Sequence, residues 1–228
     1  MNVYKFGGAS IAAPEKMQAL LPIVSEVKEP LILVVSAYGK TTNALEKVVA
    51  SACKGQKDDA KMLAQQLEDM HKDYATALLQ DAALQDALKA LDLLFTELQW
   101  AIDDASDARY DYSYDQIVCM GELMSTTIFA YYLKQSNLKF EWVDARDIIR
   151  TDDTYRDARV DYEFSKNQAQ QVIGEKLKAG ISVITQGFIG STSDNASVTL
   201  GREGSDYTAA LLAAMLGAKG VTIWKDVE

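Results

Sequence analysis

Ser197-Val-Thr-Leu-Gly-Arg-Glu-Gly-Ser-Asp-Tyr-Thr-Ala-Ala-Leu-Leu-Ala-Ala-Met-Leu-Gly217 joins a short β-type run, a charged glycine loop and a helix in one unit. Gly201 and Gly204 are expected to let the backbone take positive φ and come close to a ligand. Ser205 reads as the N-cap of an Ala- and Leu-rich helix that stops at Gly217. The free N–H groups and positive dipole end of that helix face the loop, so the unit reads as an anion-binding site. Arg202 adds a fork that suits a carboxylate or a phosphate. Asp206 suits the helix dipole but is repelled by a bound phosphate, unless a metal ion or a lysine neutralises the pair.

That cation has to come from elsewhere in the chain, and the flanking segments all read as strand-then-loop. Residues 2–6 alternate into a short strand that runs into Gly7-Gly8-Ala9-Ser10; a helix with Met17, Leu20, Leu21, Val24 and Val27 on one face follows. Leu31 to Val35 is an unbroken apolar run, as in a parallel strand covered on both faces, and it ends in the polar loop from Ser36 to Asn43. Residues 139–144 and 181–186 read as two more strands, the second running into Gly187-Phe188-Ile189-Gly190, and a last strand from Val221 carries Lys225 and Asp226. The reading is an α/β fold, a three-layer αβα sandwich with a mostly parallel central sheet. In such sheets the loops at the strands' C-terminal ends share one edge, where ligands bind.

Residues 44–104 break the alternation with two long helices, seamed by Leu63, Leu67, Met70, Tyr74 and Leu78 and by Leu84, Leu88, Leu91, Phe95, Leu98 and Ile102. This helical hairpin, an insertion over about 56–105, reads as packing or a subunit contact. Ser113 with Gln116 is a capping-box signature opening the next helix, in which Gly121-Glu122 is unusual. A mid-helix glycine costs about 1 kcal/mol against alanine, which points to close approach of another backbone or a ligand. Taken alone, Glu122 reads as a solvated glutamate and His71 as a surface helix residue. Cys53 and Cys119 lie in helical stretches without any CxxC pattern and read as reduced, half-buried thiols.

The 228 residues carry a formal charge of −10, with 48% hydrophobic and 25% charged side chains, so the composition is that of a globular chain able to bury a sizeable core. The negative charge argues against nonspecific nucleic-acid and anionic membrane binding. No segment approaches the ~18 consecutive apolar residues of a membrane span, and the N-terminus lacks a signal-peptide layout, so a cytoplasmic location is expected. No repeat or low-complexity linker interrupts the chain, so residues 1–228 read as a single domain.

Gathered at one edge, the strand-end loops hold Lys5, Gly7, Gly8, Ser36, Thr42, Phe188, Arg202, Asp206 and Lys225. That inventory suits phosphoryl transfer, which needs charge neutralisation and positioning more than covalent help. Lys5 can supply the cation that Asp206 needs. The fingerprints G-x-G-x-x-G and G-x-x-x-x-G-K-[ST] are absent, which disfavours a Rossmann dehydrogenase and a P-loop kinase.

Six segments in series carry a resemblance: Lys5-Phe-Gly-Gly-Ala-Ser, Val35-Ser-Ala-Tyr-Gly-Lys-Thr-Thr-Asn43, Gly121-Glu122, Thr185-Gln-Gly-Phe-Ile-Gly190, Leu200-Gly-Arg-Glu-Gly-Ser-Asp-Tyr-Thr-Ala-Ala210 and Trp224-Lys-Asp-Val. In this order, over the whole chain, they resemble the motifs of aspartate kinases in the amino-acid kinase superfamily. The resemblance implies transfer of the γ-phosphoryl of ATP, accompanied by Mg²⁺, to the β-carboxylate of L-aspartate, giving 4-phospho-L-aspartate for lysine, threonine and methionine synthesis. By the same resemblance Lys5 steadies the transferring phosphate, Gly7 and Gly8 give backbone donors, and Asp206 orients Lys5 as the second catalytic residue. Ser36 and Thr42 are implied to contact the aspartate and the transferred group, with Ser36 also on the nucleotide side. Glu122 is implied to take the α-ammonium and Arg202 the α-carboxylate, with Phe188, Gly204 and Ser205 completing the substrate pocket. Lys225 and Asp226 are implied to begin the nucleotide's side. No protein-held metal is implied, since Mg²⁺ rides on the ATP phosphates.

Ala9 stands where the family usually has threonine, Lys225 where threonine is common, and Glu203 where glycine is frequent. Family members continue past Trp-x-Asp-Val into more of the ATP site and regulatory ACT domains, so the chain is expected to be a fragment with little activity and no feedback control of its own. The intact protein is expected to be a homo-oligomer. The rival readings are a kinase of glutamate, acetylglutamate, carbamate or a nucleoside monophosphate, and a non-catalytic ligand-binding or oligomerising module.

Overall fold

The computed structural model describes residues 1–225. Its two earliest strands, β1 (Asn2–Phe6) and β2 (Leu31–Val35), lie parallel, linked by a 3₁₀ turn at Gly8–Ile11 and the helix α1 (Pro14–Ser25). All five residues of β2 are buried, because its alternating side chains enter two different cores. Leu31, Leu33 and Val35 join one; Ile32 and Val34 join the other. Each such aliphatic side chain contributes about 1.5–3 kcal/mol relative to exposure, so the unbroken apolar run is what holds two helical layers to one sheet.

The first layer holds α1, α2 (Thr41–Cys53), α3 (Lys57–Leu78), α4 (Asp81–Asp104), α5 (Tyr110–Val118) and α6 (Met120–Gln135). After α6 come the edge strand β3 (Phe140–Val143), then α7 (Tyr162–Lys178) and β4 (Ser182–Gln186). A small antiparallel hairpin, β5 (Ile189–Ser191) and β6 (Ser197–Thr199), leads into α8 (Gly204–Leu216) and β7 (Val221–Trp224). α7 and α8 form the second layer, burying Ala169, Ile173, Ala209, Leu212 and Met215. The main sheet runs β3-β4-β2-β1-β7 with every pairing parallel, so the three-layer α/β expectation holds.

Register decides where the chemistry gathers. Phe6 pairs with both Val35 and Trp224, and Val35 pairs with Gln186, so four strands end level. Gly7 N donates to Trp224 O, Ser36 N to Phe6 O and Gly187 N to Val35 O, which carries the ladder one residue further before the loops diverge.

Several local expectations are corrected. The segment after Ser36 supplies a third helix, α2, beside the two long ones, and Thr42 lies in its first turn. The capping box at Ser113 is not used: α5 begins at Tyr110, and the buried Ser113 hydroxyl instead accepts from Ser106 N. Cys119 separates α5 from α6, placing Gly121 and Glu122 in the first turn of a new helix. His71 is fully buried, not on a surface: it shares the inner face of α3 with Leu67, Tyr74 and Leu78, and its ring meets Tyr38 and Phe95. Met70, expected in that seam, is 39% exposed. Cys53 and Cys119 are buried outright and unpaired, tighter than the half-buried state expected.

Candidate active site

Above the level strand ends lies a cleft of about 370 Å³. Lys5, the fourth residue of β1, is 4% exposed, and a buried ammonium requires a partner. Its Nζ lies 2.8 Å from Asp206 Oδ1, in the first turn of α8. Lys225, just past β7, reaches the other oxygen of the same carboxylate and lies 3.5 Å from Glu203 Oε1. Partial burial works against ionised Asp206, but the ammonium groups of Lys225 and Lys5 outweigh it and hold its pKa below the usual carboxylate range. The aspartate thus answers two lysines, where one was expected.

The glycine turns are fixed by close approach. A Cβ on Gly8 would lie 2.4 Å from Ala37 O, and one on Gly187 would lie 2.5 Å from Ser205 Cβ. Gly7 is corrected as a ligand donor, because its N–H is already given to Trp224 O. Gly8 lines the cleft and opens the 3₁₀ turn, where the first N–H groups have no acceptor within the turn. At α8 the capping expectation also shifts. Glu203, at φ 58°, precedes the helix, while Ser205 lies inside it and meets the Ser36 hydroxyl at 2.9 Å. Gly201 has φ 73° as expected; Gly204 does not, and its reason is space, since a Cβ there would meet the Phe188 ring at 2.8 Å. Phe188 itself is held at φ 72°, its N–H bonded to the Thr208 hydroxyl.

Across the cleft stands Glu122, 3% exposed. Its Oε1 accepts from Ala37 N at 3.1 Å, and its Oε2 has no hydrogen-bond partner among the described residues. Burial drives its pKa up to about 8, against the opposing pull of the Ala37 N–H and the Lys5 charge. Gly121 permits this placement: a Cβ there would press on Ala37 at 3.0 Å and Leu45 at 3.2 Å. Arg202 is exposed on the rim, and Thr42 and Phe188 line the wall. One cleft therefore gathers Lys5, Gly8, Ser36, Thr42, Glu122, Phe188, Arg202, Gly204, Ser205, Asp206 and Lys225. Gly7 sits just beneath it, and Asp226 lies outside the described residues.

The amino acid kinase family model matches residues 1–228. The chain belongs to the amino acid kinase family.

Within the family, the chain is 33% identical over 226 residues to lysine-sensitive aspartokinase 3 of Escherichia coli, covering 99% of this chain and 49% of that protein. It is 30% identical over 232 residues to the chloroplastic bifunctional aspartokinase/homoserine dehydrogenase 2 of Arabidopsis thaliana, covering 100% of this chain and 25% of that one. The chain thus spans about half the length of the first relative and about a quarter of the second. The structure superposes on E. coli aspartokinase III in complex with lysine and aspartate with a TM-score of 0.88 at 33% identity, over 100% of this chain and 49% of that one. The complex of the same enzyme with aspartate and ADP gives 0.83.

In this member of the amino acid kinase family, one supporting residue gave little sign in the sequence. Asp115 is fully buried on α5, accepting from Thr199 Oγ1 at 2.7 Å, Thr199 N at 3.0 Å and Arg156 N at 2.9 Å. It ties β6, and so the start of the Gly201 loop, to the first layer. Burial raises its pKa to about 6, although those three bonds favour the ionised form. Its only sequence signal was a carboxylate on the apolar side of a helix.

Proposed function

We propose that the chain is the catalytic part of an aspartate kinase, carrying the γ-phosphoryl of ATP to the β-carboxylate of L-aspartate. The observation that carries this reading is the pairing, in one cleft, of a carboxylate held between two lysines with a half-partnered buried glutamate and an exposed arginine. An α-amino acid presents an ammonium and a carboxylate on one carbon; Arg202 offers the opposite charge to the carboxylate, and Glu122 does so for the ammonium once it gives up its proton. The names of the relatives, and the aspartate and ADP held by E. coli aspartokinase III in its solved complex, support the same substrates.

A β-carboxylate oxygen of aspartate attacks the γ-phosphorus, the bond from that phosphorus to the β,γ-bridging oxygen breaks, and ADP departs with the electron pair. The nucleophile is already an anion, so no base has to remove a proton. Lys5 then has one task, to meet the charge on the transferring phosphoryl oxygens, and Asp206 fixes where its ammonium sits. Gly8 and the N-terminus of α8 add backbone donors beside it. Ser36 and Thr42 contact the acceptor and the transferred group, with Phe188, Gly204 and Ser205 closing the pocket wall. Lys225 faces the nucleotide side. Both Asp206 oxygens already face lysines, so any Mg²⁺ would be held through the nucleotide phosphates, where it would supply charge shielding. Among the described residues no helix is long and apolar enough to cross a membrane; our reading places the protein in the cytoplasm, where the buried thiols stay reduced.

The test is acyl-phosphate formation by the full-length protein, trapped as the hydroxamate with aspartate, glutamate and acetylglutamate offered in parallel. Aspartate is expected to dominate. Preference for either longer acid moves the reading to another amino-acid kinase, and no product with any acceptor ends it.

A further inference from the structure

One residue of the helical hairpin touches two adjoining loops that both line the cleft. Tyr74 of α3, 6% exposed, places its hydroxyl 2.8 Å from Ile11 O and 3.0 Å from Ala13 O, at the end of the 3₁₀ turn that begins at Gly8. Its ring packs on Tyr38, with centroids 4.5 Å apart, and the His71 ring, one turn earlier on α3, also meets Tyr38 at 4.8 Å. Tyr38 belongs to the loop Ser36–Gly39, and its backbone is pinned on both sides: Tyr38 N donates to Ser125 Oγ, and Tyr38 O accepts from the Thr41 hydroxyl. The two loops also meet directly, Gly39 N donating to Gly8 O at 3.0 Å.

We propose that Tyr74 is a positioning residue for phosphoryl transfer, its hydroxyl setting the Gly8–Ile11 turn and its ring setting the Ser36–Gly39 loop. The hairpin is then part of the catalytic apparatus, although none of its side chains lines the cleft. The inference deepens the aspartate kinase reading and rests on it for the identity of the two substrates. The two halves of the side chain act on different partners: the hydroxyl reaches only the turn that carries the nucleotide-side donors, while the ring also supports the loop whose Ala37 N–H holds Glu122.

Substitution separates them. Tyr74→Phe keeps the ring and removes the hydroxyl, and in the full-length protein it is expected to raise the ATP KM and the ATP Kd by about fivefold, the worth of one buried hydrogen bond. The aspartate KM is expected to stay within about twofold, on the same scale. Tyr74→Leu removes both features and is expected to raise both KM values. A purely structural role predicts a lower Tm and a smaller active fraction, with both KM values unchanged in Tyr74→Phe; that result overturns the proposal, as does an equal rise in the two constants. ATP binding is measured by calorimetry beside the assay. If the wild type binds ATP but forms no aspartyl phosphate, the functional reading fails, and the ATP Kd ratio still decides the role of Tyr74. If the wild type binds no ATP, both fall.

Discussion

The two ends of the cleft are built on opposite plans. At one, a single carboxylate is shared between two ammonium groups, with Lys5 buried and one positive charge left in excess among the three. At the other, the polar groups stand apart: the buried Glu122 keeps one oxygen without a partner among the described residues, and Arg202 is exposed on the rim. On the proposed reading the first is the phosphoryl end, set in advance so that little rearrangement would be left for the moment of transfer. On the same reading the other is the acceptor end, completed by the ammonium and carboxylate of the amino acid. The first end should govern turnover and the second substrate affinity.

The sharpest way to break this division is Asp206→Ala. It leaves two lysines side by side without the carboxylate that fixes them. Turnover is expected to fall by about 10²–10³, the range found when one preorganised transition-state group is lost. The ATP KM should change little, because the positive charge remains, and the Tm should fall, because the buried Lys5 ammonium loses its partner. Steady-state kinetics with a circular dichroism check would measure this. A raised KM at unchanged kcat would reverse the roles of the two ends.

Glu122→Gln tests the other end and is expected to raise the aspartate KM about 30-fold, the scale of a buried charged hydrogen-bond partner, while kcat falls less. The same substitution should change stability in the opposite sense. The folded pKa of Glu122, about 8, lies above the unfolded value of 4.5, so the native state binds the extra proton. Its contribution is therefore undiminished at low pH and is lost as pH rises from about 4.5 towards 8. Glu122→Gln removes that loss, and its Tm should exceed the wild-type Tm at pH 8 and approach it at pH 5. Aspartate binding near pH 7 should also release a proton, since an ammonium partner favours the carboxylate; calorimetry in buffers of different ionisation enthalpy reads this directly.

The same contrast explains what the sequence made legible. The level strand ends were legible because β2 is a continuous apolar run and each polar loop follows a strand directly. Lys5 and Asp206 could be paired across some two hundred positions because both carry a charge that a phosphate site has to balance. What escaped depends on contacts between layers. Glu122 alone gives no sign of burial, which comes from Gly121 letting Ala37 lie against the helix. His71 is polar by type, yet Tyr38 and Phe95 enclose it, and burial lowers its pKa to about 4, keeping it neutral. Ser205 has the right chemistry for a cap, but Glu203 takes the left-handed turn one residue before the helix, and Ser205 turns to Ser36 instead.

The smallest effect is expected at the rim, and it tests whether the acceptor end recognises geometry as well as charge. Arg202→Lys keeps the positive charge and removes the planar fork that meets both oxygens of a carboxylate. Arg202 is exposed, so solvent screens its charge and folding stability should not change. What is lost is one of two directed hydrogen bonds, and the aspartate KM is expected to rise only about three- to tenfold, well below the effect at Glu122. The loss should also relax the choice of acceptor, because a point charge tolerates a longer acid better than a fork does. The ratio of kcat/KM for aspartate over glutamate should therefore fall along with affinity. An affinity loss with that ratio unchanged would mean that Arg202 acts by charge alone, and that the choice of acid is made deeper in the cleft, at Glu122 and Phe188.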